Sequence, residues 1–382
     1  MRIAVIGCGY VADFYMATLA NHPELKLQGV HDRDAARAKA FAAFHRIERI
    51  YPALDDALAD PQVELVVNLT NPSSHYAVSR AALEAGKHVY SEKPLAMQLE
   101  QAEHLVALAE QHGLQVNSAP CSVLSETAQT LWKALRENRI GTPRLIYAEL
   151  DDGNVPRRDY QNWISASGAP WPAKDEFEVG CTLEHAGYYL TWLTAFFGPA
   201  TRITSFARNV QPDKGIALDV QTADFATACV EFASGPVARF TCSLYAPHDH
   251  WLRIFGDEGT LATQNVWDYG SRVTLATRNR FTGRAEKYPT LARLVGLGPA
   301  TVSLVRKRRF EYRTKGSNPM DFCRGIAETA AAAREGRDSR LSSRWSLHVN
   351  ELVLAMQHPE RYGVVREVKS RFEPLAPMPW AS

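Results

Sequence analysis

Residues 2–12 read RIAVIGCGYVA, and this stretch decides the fold. RIAVI is an apolar run of the kind that makes a strand covered on both faces. It breaks at Gly7, and a helical pattern follows from Tyr10 to Asn21. The junction, Gly7 to Ala12, has the G-x-G-x-x-A spacing of a phosphate-binding βα turn. Gly7 permits the tight turn, Gly9 leaves the backbone bare for a pyrophosphate, and Ala12 allows close helix–strand packing. The helix N-terminus then faces the phosphates. Such a turn alone is weak evidence, but the next strand, KLQGVHD, strengthens it. It leads into His31-Asp32-Arg33 and puts Asp32 23 residues after Gly9, where an acid binds the ribose hydroxyls of an adenosine half. Asp32 favours NAD, because a carboxylate repels a 2′-phosphate. Arg33 keeps NADP open as the alternative, since it could neutralise that phosphate.

Further along, ELVVNLT, KHVYSE and LQVNSA read as strands, separated by helical stretches that end at Gly86 and Gly113. Alternating strands and crossover helices predict a doubly wound parallel sheet over residues 1–120. The pattern changes after Pro120. A helix, VLSETAQTLWKALREN, precedes the strand RLIYAELDDG, and longer alternating β runs follow from Thr201 to Thr263. Two helical stretches, MDFCRGIAETAAAAREG and SRWSLHVNELVLAM, come near the end. Residues 121–382 are therefore read as an α+β domain with an open, mostly antiparallel sheet. The least readable segment is 267–314. Its basic run (Arg306, Lys307, Arg308, Arg309, Arg313) could grip a phosphate, but a solvated or subunit-contacting face is the favoured reading.

Composition narrows the function classes. A chain of 382 residues suits two domains, and a net charge of +1 gives no argument for nucleic acid. No apolar run reaches the roughly 18 residues of a membrane helix, so no membrane partner is expected. The N-terminus lacks a signal peptide's basic start and long apolar stretch, which predicts a cytoplasmic protein. Six irregularly spaced cysteines form no C-x-x-C pair, so neither a disulfide framework nor a zinc knuckle is expected.

Two further motifs lie at strand ends, where ligands bind in this architecture: TNPSSH (Thr70–His75) and SEKPLA (Ser91–Ala96). Lys93 precedes a proline, so its backbone is held extended, and its ammonium could polarise a hydroxyl or ketone oxygen. Taken alone, His75 could equally pack at a helix start or touch a cofactor. GCGYVA, TNPSSH and SEKPLA, in this order, resemble the Gfo/Idh/MocA oxidoreductase family, with EKP the most diagnostic part. The similarity covers nearly the whole chain and includes the G-x-x-G-T-L turn at Gly256–Leu261.

That resemblance implies a Rossmann domain followed by a sheet domain, and a dimer or tetramer assembled through that sheet. It also implies hydride transfer between NAD(P) and a carbinol or ketone of a sugar, cyclitol or nucleotide sugar. Residue by residue, it implies that Gly7, Gly9, Tyr10 and Val11 line the pyrophosphate and that Asp32 and Arg33 meet the adenosine. Thr70, Asn71, Pro72 and His75 would flank the dinucleotide, and Glu92, Lys93 and Pro94 would border the nicotinamide, with Lys93 also touching the reacting oxygen.

The acid/base is sought in residues 180–193, GCTLEHAGYYLTWL. The family pattern has an Asp four residues before a catalytic His. Aligned on Gly180, Glu184 takes the Asp position and Tyr188 the His position. Some family members use a Tyr there. At about 100° per residue, Glu184 and Tyr188 are about 40° apart, with His185 about 60° further round and Tyr189 further still. Tyr188 is therefore the expected acid/base, assisted by Lys93 and Glu184. His185 is expected at the substrate rim, and this geometry does not exclude it as the acid. As a base Tyr188 would need a lowered pKa, which a nearby Lys93 would supply.

Residues 151–180 are rich in turns, and Trp163 and Arg157 are the candidate substrate contacts there. Aromatics stack on sugar faces and Arg holds carboxylates or phosphates. His248 and His250 alternate around Asp249 and would share a strand face, but a third ligand is not evident, and no metal is expected. Two other functions stay open: a glycosidase that keeps NAD bound and acts through a transient ketone, and a dinucleotide-binding sensor without turnover.

Overall fold

Strand β1 (Arg2–Ile6) is an inner strand of a five-stranded parallel sheet, with β2 (Lys26–His31) on one side and β3 (Leu65–Asn68) on the other. Beyond β3 come β4 (His88–Ser91) and β5 (Val116–Ser118), giving the order β2-β1-β3-β4-β5. The computed structural model describes residues 1–278, 288, 290, 298–308 and 319–382. All four residues of β3 are buried, as are all but the first of β1, which is why both read as unbroken apolar runs. The crossover helices have local causes. Asp34 caps the helix Ala35–His45 by accepting from Ala36 N–H at 2.9 Å, and Gly113 ends the helix Leu99–His112 in the left-handed region.

The second sheet has nine strands: β6 (Pro143–Asp151), β7 (Ala200–Arg208), β8 (Phe225–Phe232), β9 (Val237–Ser243), β10 (Leu252–Gly256), β11 (Gly259–Thr263), β12 (Val273–Thr277), β13 (Ala300–Val302) and β14 (Val365–Glu367). Their order is β13-β12-β11-β10-β6-β9-β8-β7-β14. Every pair is antiparallel except β6 with β9, so the sheet is open and mostly antiparallel, as expected. β12 and β13 lie in the segment whose sequence was least readable.

Chain order and spatial order part company at the C-terminus. The helix Cys323–Glu335 packs on β4, and the helix Ser343–Gln357 lies between the helix Leu99–His112 and the second sheet. Asn117 Nδ2 donates to Leu341 O at 2.7 Å. The end of the chain thus returns to the first sheet and holds the two layers together. Arg306 and Arg308 of the basic run pair with Glu126 at 3.0 Å and Asp268 at 3.3 Å. Arg309 and Arg313 lie outside the described residues. The six cysteines are free thiols. Among the described residues no helix is long and apolar enough to cross a membrane.

Candidate active site

A cavity of about 1090 Å³ opens between the C-terminal edge of the first sheet and the second sheet's loops. That is at the upper end of the usual range for ligand cavities. Gly7, Gly9, Tyr10, Val11, Asp32, Arg33, Thr70, Asn71, Pro72, His75, Glu92 and Lys93 all line it. Pro94 does not; it faces a small neighbouring cavity, and the Lys93–Pro94 peptide is cis.

The first wall is mostly backbone held by short hydrogen bonds. Gly7 has φ +99°, and a Cβ there would lie 2.5 Å from Leu69 O. A Cβ on Gly9 would meet no protein atom within 4 Å, so this bare backbone faces the cavity itself. Asp32 accepts from Cys8 N–H at 2.8 Å and Asp34 N–H at 2.9 Å, which fixes the turn around its carboxylate. His75 is fully buried, with its ring nitrogens 2.7 Å from Pro94 O and 2.8 Å from Thr70 O, and so ties the two motif loops together. Glu92 accepts from Tyr15 Oη at 2.6 Å and from Lys93 N–H at 3.0 Å, which sets the turn that presents Lys93.

The second wall carries charge. Lys93 forms an ion pair with Glu184, whose side chain is only 4% exposed. Glu176 joins them, hydrogen-bonded to Glu184. Gly180 makes that meeting possible. Its φ of +94° stops the helix Ala173–Val179, and the chain restarts so that two carboxyls eight residues apart converge. Burial and the Glu184 charge push the Glu176 carboxyl well above the usual range. Burial works against the Lys93 ammonium, but Glu184, Glu176 and Glu92 outweigh it and hold its pKa above the ordinary value.

The helical phase expected from sequence changes here. Thr182–Ala186 form a π-helical turn before the α-helix Gly187–Phe197. A wider turn places more than one stripe toward the ligand, a feature common at functional sites. Glu184, His185 and Tyr188 therefore all reach the cavity. Tyr189 turns away, fully buried, and donates to His250 O. Tyr188 lies in the field of Lys93, as expected, but burial outweighs that cation and its pKa is raised, not lowered. Lys93 therefore does not supply the lowered pKa that Tyr188 would need as a base: it is engaged by Glu184, and desolvation of the phenolate dominates.

His185 Nδ1 lies 3.1 Å from Asp152 Oδ2, yet off the line that a hydrogen bond requires. Burial pushes the imidazole below its ordinary pKa, with Asp152 opposing. Asp152 also faces His250, Nε2 to Oδ1 at 3.0 Å. Burial tends to raise the Asp152 carboxyl, but the histidines outweigh it and the net shift is down. Trp267 packs edge-on against His185, Tyr188 and His250.

Trp163 lines the cavity with Trp171, ring centroids 5.1 Å apart. Their loop is tied to the first sheet's layer through Ser167, whose Oγ donates to Asp13 at 2.8 Å. Arg157 is placed differently from expectation. Its side chain is 63% exposed, 3.7 Å from Asp213, and its neighbour Arg158 lines the cavity instead. The short 3₁₀ turn Val155–Arg157 sets which of two adjacent arginines points inward.

Sequence reading did not assign Asp152, Glu176 or Trp267 to the site. Glu176 looks like a surface acid in KDEFE, and Trp267 begins the unreadable segment. The third partner that His248 and His250 lacked is Asp152, with ligand-type atoms of all three within 4.8 Å of one another.

Residues 1–119 match the model of an oxidoreductase family with an NAD-binding Rossmann fold, and residues 128–262 match the GFO/IDH/MocA C-terminal domain. The chain belongs to the Gfo/Idh/MocA oxidoreductase family. It is similar to an uncharacterized oxidoreductase of Synechocystis sp., 27% identical over 281 residues that cover 70% of this chain and 73% of the relative. It is also similar to mouse trans-1,2-dihydrobenzene-1,2-diol dehydrogenase, 24% identical over 289 residues, 74% of this chain and 80% of that one. Its fold matches an aldose–aldose oxidoreductase of Caulobacter crescentus solved with glycerol, at a TM-score of 0.74 and 18% identity, covering 96% and 99% of the two chains. Residues 1–119 are thus an NAD-binding Rossmann domain, and the bare Gly9 backbone and Asp32-ordered turn of the first wall fit such a dinucleotide. The chain is an NAD(P)-dependent oxidoreductase of the Gfo/Idh/MocA type.

Proposed function

We propose that this oxidoreductase interconverts a carbinol and a ketone on a sugar-, cyclitol- or nucleotide-sugar-like substrate, with Tyr188 exchanging the hydroxyl proton. The Lys93–Glu184 ion pair carries this reading, because it joins the first wall's motif to the helix of Tyr188 at one point of the cavity. A nicotinamide dinucleotide, when bound, supplies or accepts the hydride. Lys93, held as an ammonium by Glu184, stabilises negative charge on the reacting oxygen. Tyr188, its phenol pKa raised by burial, carries the proton that a ketone oxygen takes up in reduction. Trp163 and Trp171 offer flat faces to a sugar ring. The likeness to an aldose–aldose oxidoreductase and a dihydrodiol dehydrogenase supports a substrate with several hydroxyls. Assembly as a homodimer or homotetramer would use the second sheet, where Phe206 of β7 is 52% exposed.

Tyr188→Phe is expected to lower kcat by about a hundredfold or more while the NAD(P) Kd stays unchanged. Near-full turnover would sink the assignment. One observation favours a second reading, with His185 as the proton-exchanging group: its imidazole sits 3.1 Å from a buried carboxylate that can orient it. His185→Asn losing more turnover than Tyr188→Phe would favour that reading.

A further inference from the structure

We propose that Asp152, His248 and His250 form a binding site for a divalent transition-metal cation on the substrate wall. Three observations carry this. The donor set is two imidazoles and one carboxylate, with candidate ligand atoms all within 4.8 Å of one another. His250 Nε2 and Asp152 Oδ1 are 3.0 Å apart; two atoms so spaced, each about 2.1 Å from one cation, subtend roughly 90°. That angle belongs to one edge of a facial triad. His248 is exposed, so rotation of its ring closes the remaining gap, and it already lies against His250 with ring centroids 4.1 Å apart.

The surrounding charge is the second argument. Asp151 and Asp152 are buried, and Asp249 pairs with Asp151 across the end of β6. Among the described residues, no lysine or arginine lies within ion-pair reach of these three acids. Arg158 is the cation whose field reaches His248. Asp152 is met by histidines, Asp151 accepts from Ser243 Oγ and Asp249 from Trp251 N–H, so three neighbouring carboxylates without a lysine or arginine partner make a place where a cation is favoured. The third argument concerns an unsatisfied nitrogen. His185 Nδ1, 3.1 Å from Asp152 Oδ2, is buried without a hydrogen-bond partner, so the group around Asp152 is not closed on itself.

Imidazole donors select Zn²⁺, Fe²⁺ or a similar ion over Mg²⁺ or Ca²⁺. Asp152 and His248 line the cavity and His250 stands behind them, so the cation's open positions face the substrate space. Two adjacent oxygens of a polyol or hydroxyketone could bind there; this clause rests on the function proposed above.

The test uses the full chain, stripped with a chelator and titrated with Zn²⁺ alone by calorimetry, with Mg²⁺ as the comparison. One Zn²⁺ per chain is expected, and His248→Ala should weaken it by about a hundredfold while leaving thermal stability in metal-free buffer unchanged. Anomalous scattering from Zn²⁺-soaked crystals should place the ion among the three side chains. No saturable binding, a peak elsewhere, or equal affinity in His248→Ala would each overturn the site. These readouts need no turnover, so they stand or fall apart from the proposed reaction. Once a substrate is in hand, chelation should raise its KM at least about tenfold without changing the NAD(P) Kd, and an unchanged KM would remove the substrate clause.

Discussion

The wall formed by the first sheet and the wall formed by the second meet across one cavity but are made of different material. The first is backbone: two glycines, a turn ordered by Asp32 and loops tied by His75, joined through contacts between neighbouring strand ends. The second is side-chain charge: Glu184 and Glu176 facing Lys93 of the first wall, and Asp152 against two histidines. A surface that holds a large, fixed ligand can be built of peptide N–H groups and bare Cα atoms. A surface that moves a proton needs buried ionisable groups whose neighbours set their charge.

The sharpest way to break this contrast is to remove the charge that crosses between the walls. Lys93→Met leaves Glu184 and Glu176 together without a cation. It is expected to cost about 3 kcal/mol of stability and at least about a hundredfold in turnover, read by chemical denaturation and steady-state kinetics. A stable, active variant would mean that the pair is neither structural nor catalytic.

The first wall is tested by two glycines that differ only in what surrounds them. Gly7→Ala meets a positive φ and a backbone oxygen, so it is expected to lower stability by about 2–4 kcal/mol. Gly9→Ala meets open space, so the fold should persist while NAD(P) affinity falls about tenfold or more. Thermal melts with and without dinucleotide separate the two outcomes, and equal melting losses would contradict the contrast.

The smallest effect concerns pH. The folded Glu176 holds its proton above the pKa of the unfolded chain, so the folded state binds more protons and stability falls as pH rises from about 4.5. The slope is at most about 1.4 kcal/mol per pH unit and is reduced by water in the cavity. Glu176→Gln should flatten that slope in melts taken from pH 5 to 8. An unaltered slope would show that Glu176 is not held protonated.

The first wall was legible because each of its parts is a contiguous motif. Gly7, Gly9 and Asp32, then Thr70 to His75, then Glu92 and Lys93, all follow strands that the doubly wound topology lays side by side. The second wall was legible where a motif continued, at Glu184, His185 and Tyr188, and in the turn-rich loop at Trp163. Asp152 and His250 are 98 residues apart, and they meet because β6 pairs with β9 and β10 in one register and Asp151 bridges Asp249. A shift of one residue would turn those side chains to the opposite face. The π-helical turn at Thr182–Ala186 is equally hidden, because a periodicity argument assumes a uniform turn.

For GCTLEHAGYYLTWL, the amino-acid sequence determined which groups are present and that Glu184 and Tyr188 belong near Lys93. Only the tertiary structure decided that His185 stands beside Asp152, that Glu176 joins Glu184, and that burial outweighs Lys93 at the phenol. The reason is physical: local pattern specifies turns and caps over a few residues, whereas desolvation and charge pairing depend on which distant segments close over them.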